Sequence, residues 1–230
     1  MLTVSMAETV ARPERQSRLR GWRSVVVAIV LALVVWGVIR AALFDVFYIP
    51  SGSMEPLLAP GDRIAVARSL IDQEPIRRGD VVVFDGRGSF APLNSGRGWV
   101  GDLVQGAGEW FGIVPNETVY VKRVIGVGGD HVRCCTAAGK IEVNGQPLVE
   151  PYVYPGDAPS IQPFDVVVPA GRLWLLGDHR SESSDSRALL GAPGGGLVRA
   201  DKVIGRPVAI LWPLDRLGGL TTHQTPEDTH

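Results

Sequence analysis

The sequence predicts a mainly β, antiparallel fold carried behind one N-terminal transmembrane helix. Three observations point to it. A single charge-free apolar run, Val25 to Ile39, stands near the N-terminus. After it come many short segments rich in β-branched residues and bounded by Gly, Pro, Asn and Asp. No long amphipathic helical period follows that first run, which argues against a parallel α/β layout. At 230 residues and 45% hydrophobic content, one anchored domain is the simplest division.

Residues 1–23 form a basic leader, with Arg12, Arg15, Arg18, Arg20 and Arg23 against only Glu8 and Glu14. Residues 24–44 are the expected anchor. Val25–Ile39 with Ala41–Phe44 supplies about 20 residues at ~1.5 Å each, enough for a ~30 Å hydrocarbon core, and Arg40 can snorkel to the head groups. Positive charge stays inside, so the N-terminus is expected in the cytoplasm and the rest outside it. The competing reading is a cleavable signal peptide. Arg40 stands where a small-residue cleavage site would fall, and apolar residues resume after it.

Residues 45–220 are the extracytoplasmic β domain. Strands are expected over Arg63–Ala67, Val81–Phe84, Thr118–Val127, Val132–Cys135, Ile141–Val143, Asp165–Val168 and Leu173–Leu176. Gly-Asp pairs at Gly61, Gly79, Gly129 and Gly177 mark element boundaries, and Asn144-Gly145 marks a hairpin turn. Residues 86–116 read as a glycine-rich insertion between two strands. Its Trp99, Trp110 and Phe111 suit either a flap at the lipid interface or a mobile loop with a small cluster of its own. Leu190–Gly196 is a surface loop, and residues 221–230 are a polar tail.

A formal charge of -1 offers no global field for nucleic acid. The two cysteines, Cys134 and Cys135, are adjacent; a strained vicinal disulfide and two unlinked thiols both remain open. Two sulphurs do not make a zinc site, His131, His223 and His230 lack ligand spacing, and no cofactor or metal is implied.

Three segments carry chemistry. Ile49-Pro-Ser-Gly-Ser-Met-Glu-Pro56 sets Ser51 and Ser53 just past the anchor. Lys122 lies in Tyr120-Val-Lys-Arg-Val-Ile-Gly126, among apolar neighbours that would desolvate its amine, lower its pKa and let it act as a base toward a serine. Arg123, on the opposite face, is expected to stay solvated. The third segment is Gly177-Asp-His-Arg-Ser-Glu-Ser-Ser-Asp-Ser-Arg187.

In this order the three segments resemble the type I signal peptidases of bacteria, whose serine/lysine pair cleaves exported preproteins. The resemblance implies Ser53 as nucleophile and Lys122 as general base. It implies an oxyanion hole from the Ser51 hydroxyl and the Ser53 backbone N–H, with Ser183 orienting the lysine amine and Asp185 and Arg187 bracing the site. Ile49, Pro50, Met54, Leu58, Tyr120 and Val121 match positions lining shallow pockets for small side chains one and three residues before the cut. The implied partners are signal-peptide-bearing preproteins and the lipid bilayer. Leu57 and His179 depart from the commoner threonine and asparagine. A Ser-His-Asp triad through His179 with Asp178 or Asp185 lacks the Gly-x-Ser-x-Gly elbow. A self-cleaving repressor would need a helix-turn-helix in place of the anchor. A membrane-tethered β scaffold without catalysis is the non-enzymatic alternative.

Overall fold

The computed structural model describes residues 15–68, 74–90, 118–192 and 194–220. The expectations for residues 1–14, for Trp99, Trp110 and Phe111 in the insertion, and for the 221–230 tail lie outside the described residues. The chain divides between Ala42 and Leu43 into two units, each described by itself.

The first unit contributes helix α1 (Arg15–Leu43). From Trp22 to Val35 every side chain is exposed, although most are apolar. Among the described residues, no helix is long and apolar enough to cross a membrane. Phe44, expected to end the anchor, instead opens a strand.

Among its described residues the second unit has twelve strands: β1 (Phe44–Tyr48), β2 (Arg63–Ala67), β3 (Val81–Asp85), β4 (Val119–Val127), β5 (His131–Cys134), β6 (Ile141–Val143), β7 (Gln146–Pro147), β8 (Phe164–Val167), β9 (Arg172–Leu176), β10 (Val198–Arg199), β11 (Val203–Trp212) and β12 (Gly218–Gly219). They form a large sheet in the order β1-β2-β11-β3-β4-β9-β10, with β12 beside β11, and a smaller sheet in the order β7-β6-β5-β8. The pairings are antiparallel, as the sequence predicts. Asn144 and Gly145 form the two-residue loop between β6 and β7, both with positive φ, 53° and 81°, the geometry that Asn-Gly favours in hairpins.

The Val-Val-Val-Phe run of β3 is buried on both faces, hence apolar at every position. Val81 and Val83 pack with Ile49, Met54, Leu58 and Ile64. Val82 and Phe84 pack on the other side with Val124, Leu173 and Leu175. A third cluster centred on Trp174 joins β4 and β9 to the smaller sheet through Val132, Ile141 and Phe164.

Beyond the two-residue β7, β10 and β12, the strands β1 and β11 were also hidden in the sequence. In β1 the apolar residues continue straight on from the helix. In β11, Gly205 and Pro207 read as breakers, yet register shifts occur at Val203/Gly205 and at Pro207/Ala209. Such bulges let a central strand tolerate a residue without an N–H. Cys134 and Cys135 are joined as a vicinal disulfide at the end of β5.

Candidate active site

The turn after β1 is held from several directions, which fixes where its serines stand. Ile49 N–H donates to the Asp62 carbonyl at 2.9 Å and Gly61 N–H to the Ile49 carbonyl at 2.8 Å, closing the loop at its base. Within it, Glu55 N–H bonds the Gly52 carbonyl and Leu58 N–H the Met54 carbonyl, both at 2.9 Å. Arg216 pins the far side, donating to the Leu57 carbonyl at 3.1 Å and pairing with Asp62 at 3.2 Å. Met54 and Leu58 are driven into the core beneath, each worth about 1.5–3 kcal/mol of burial.

Ser53 is thereby presented to β4. Lys122 Nζ donates to Ser53 Oγ at 2.6 Å, and both residues are buried, Lys122 with 4% and Ser53 with 7% of its surface exposed. Burial pushes the Lys122 ammonium from its ordinary 10.5 down to about 8, because a charge removed from water is penalised. The negative charges of Asp185 and Asp178 oppose that drop, and the Arg187 charge assists it. Ser51 Oγ stands 3.3 Å from Ser53 Oγ.

A groove of about 400 Å³ opens at this pair. One wall comes from Phe47 to Met54 and the other from Val119 to Lys122. Along that second wall β4 pairs, among the described residues, with β3 alone, since β9 joins it only from Arg123 onward. On the first, β1 pairs only with β2 among the described residues. Two strand edges therefore face an open slot.

Of the pocket residues expected from the sequence, Ile49, Pro50, Met54, Tyr120 and Val121 line the groove. Leu58 does not: it is fully buried in the core and presents no surface to the slot. Phe47, Tyr48 and Val119 line it without having been foreseen. The alternation in Phe44-Asp-Val-Phe-Tyr48 was the available signal, obscured by the apolar run before it.

The third segment lies alongside. Asp185 and Arg187 form a buried two-pronged pair at 2.9 and 2.7 Å, and Asp185 also accepts from Gly177 N–H at 3.1 Å. Ser183 Oγ is buried against Gly177 with no hydrogen-bond partner among the described residues. His179 N–H donates to the Ser53 carbonyl at 3.2 Å, while its ring stacks on Tyr154 and Nδ1 lies 3.4 Å from Glu55. Arg123 is not solvated as expected. It is 2% exposed, bonds both oxygens of Asp178 at 2.8 and 2.6 Å, and covers the Tyr152 ring at 4.0 Å. A carboxylate 55 residues away, invisible to local pattern, makes that burial tolerable.

Residues 22–212 match the family model described as signal peptidase, peptidase S26. The chain belongs to that family. Signal peptidase I of Mycobacterium tuberculosis strain H37Rv is 38% identical over 234 residues, spanning 90% of this chain and 77% of that protein. A probable signal peptidase I of Mycobacterium leprae is 35% identical over 241 residues, spanning 92% and 82%. A crystal structure of a signal peptidase I from Enterococcus faecalis overlaps 58% of this chain and 97% of its own at 23% identity, with a TM-score of 0.37. In this peptidase S26 chain, Ser51, Ser53 and Lys122 thus come together at one groove.

Proposed function

We propose that the chain is a membrane-anchored serine endopeptidase that removes N-terminal signal peptides from exported preproteins, with Ser53 as nucleophile and Lys122 as general base. The observation that carries this reading is the 2.6 Å approach of Lys122 Nζ to Ser53 Oγ in a buried setting that depresses the amine. Membership of the signal peptidase family supplies the substrate class.

The substrate chain enters the slot extended, adding its backbone between the free edges of β1 and β4. Neutral Lys122 takes the Ser53 proton as Oγ attacks the scissile carbonyl carbon. The oxyanion that forms is met by the Ser53 backbone N–H and the Ser51 hydroxyl. As the C–N bond breaks, Lys122 returns the proton to the leaving amine, and the signal peptide stays as an ester on Ser53. Water then attacks that ester, Lys122 accepting its proton and passing it to the departing Ser53 oxygen. Asp185 with Arg187 braces the strand end behind the amine, and the orienting role of Ser183 rests on the family resemblance, since its Oγ has no hydrogen-bond partner among the described residues. Ile49, Pro50, Met54, Tyr120 and Val121 form shallow apolar walls that select small side chains before the cut.

Residues 24–44 serve as the anchor. Apolar residues on all sides of a helix have no aqueous partner, and Val25–Ile39 with Ala41–Leu43 is interrupted by charge at Arg40 alone. The basic leader keeps its N-terminus in the cytoplasm. Ser53 lies nine positions after Phe44, so at about 3.3 Å per residue the nucleophile lies within ~30 Å of the lipid boundary.

Incubating the detergent-solubilised chain with a preprotein tests this. The native chain releases a mature fragment; Ser53→Ala and Lys122→Ala fold but do not cut. Equal cutting by all three rejects the assignment, and no cutting by any of them favours a tethered scaffold.

A further inference from the structure

Tyr120 stands two residues before Lys122 and borders the groove, and what holds its ring lies away from the substrate. Its cross-strand neighbour Phe84, fully buried in β3, stacks on it with centroids 5.9 Å apart and planes 27° apart. Phe90 closes the cluster, 5.5 Å from Tyr120 and edge-on to Phe84 at 5.2 Å. Whereas Phe84 is locked into the sheet, Phe90 comes from the turn that opens the glycine-rich insertion. That turn is fastened to the start of β4 through Gly86 N–H, which donates to the Thr118 carbonyl at 2.7 Å. It is closed by Ser89 and Phe90 N–H groups donating to the Gly86 carbonyl at 3.0 and 2.8 Å. Only glycine fits at position 86, because a Cβ there would lie 2.5 Å from the Tyr120 ring and 3.1 Å from Phe90 Cβ.

We infer that Phe90 determines substrate selectivity without touching substrate: with Gly86 it clamps the Tyr120 ring and so sets the width of the cleavage groove. The inference rests on the peptidase reading above. The Tyr120 ring is half-buried, packed by Phe84 and Phe90 on the side away from the groove. Truncating Phe90 removes one side of the clamp, the Tyr120 ring gains room to retreat, and the groove admits bulkier side chains. Discrimination by an apolar pocket amounts to about tenfold for a methylene or two, so loosening one wall is readable against a native preference for alanine.

The test uses the full chain in detergent with two signal-peptide substrates that differ only in carrying alanine or leucine immediately before the cut. In Phe90→Ala the ratio of kcat/KM for alanine over leucine falls about tenfold, while the alanine peptide is still cut. Phe90→Leu, which keeps more of the packing volume, relaxes the ratio less and serves if the alanine variant does not fold. Tyr120→Ala relaxes the ratio too, and adding Phe90→Ala to it changes nothing more, since both act through one ring. A native ratio in both Phe90 variants overturns the inference, as does an equal loss on both peptides. If the native chain cuts neither peptide, the peptidase reading itself falls.

Discussion

Lys122 and Arg123 are adjacent cations in β4, both almost wholly buried, and they do opposite things. Arg123 meets a carboxylate of matching shape in Asp178, a carbonyl in Gly79 at 2.7 Å and an aromatic face in Tyr152. It is a permanent charge, planar and forked, used as a brace. Lys122 finds only a hydroxyl among the described residues, and its ammonium is destabilised until the proton leaves near pH 8. Burial alone does not make a base. Burial without a carboxylate partner does, and the alternation of a strand lets one segment hold both outcomes side by side.

Substitutions that erase the difference should have the largest effects. Lys122→Arg places a group that does not deprotonate where a base is needed, and cleavage should fall about ten-thousandfold or more, as read by single-turnover assays on a preprotein. Arg123→Met breaks the other half of the comparison. It leaves Asp178 buried without the guanidinium that bonds both its oxygens, at about 3 kcal/mol of stability, measurable by denaturant unfolding in detergent.

Lys122→Met sharpens the contrast in the opposite direction. The folded-state value of about 8 lies below the ordinary 10.5, so the unfolded chain holds that proton more tightly and stability rises with pH between the two values. The burial penalty, on the order of 3 kcal/mol, is fully present below pH 8. Lys122→Met should therefore be inactive yet more stable than the native chain at pH 7, the gain vanishing as pH approaches 10.5. Melting temperatures across that range decide it.

Gly177→Ala is the mildest of the set. A Cβ there would overlap the Ser53 carbonyl oxygen and Ser183 Oγ, shifting the nucleophile without altering either cation. A loss of about tenfold in kcat with little change in KM is expected, since small misplacements at a reacting centre are costly.

Much of this site could be read in sequence order. β2, β3 and β4 declared themselves by composition, and Ser53 and Lys122 stand in segments whose chemistry is local. The Gly-Asp pairs were also legible as turns: Asp62, Asp80 and Asp130 each accept a backbone N–H from three residues earlier, all at 2.9 Å. The fourth pair, Gly177-Asp178, looks the same in sequence and is not. Its aspartate reaches across to Arg123 instead, a contact that depends on how β4 and β9 register. For the same reason Leu58 was mistaken for a groove residue, although it stands within the very turn that holds Ser53. Only packing tells which side of that turn faces the slot. β11 stayed hidden because Pro207 is tolerable in a central strand only beside a bulge, which is a property of the partner strands as much as of the proline.

The central claim is that Lys122 sheds its proton near pH 8 because it is dry and has no carboxylate partner among the described residues. The chain contains three lysines, Lys122, Lys140 and Lys202, so a chain labelled with carbon-13 at lysine Cε gives three resonances, and Lys122→Met identifies one by its disappearance. That resonance should titrate at about pH 8. A midpoint at the ordinary 10.5 would contradict the account.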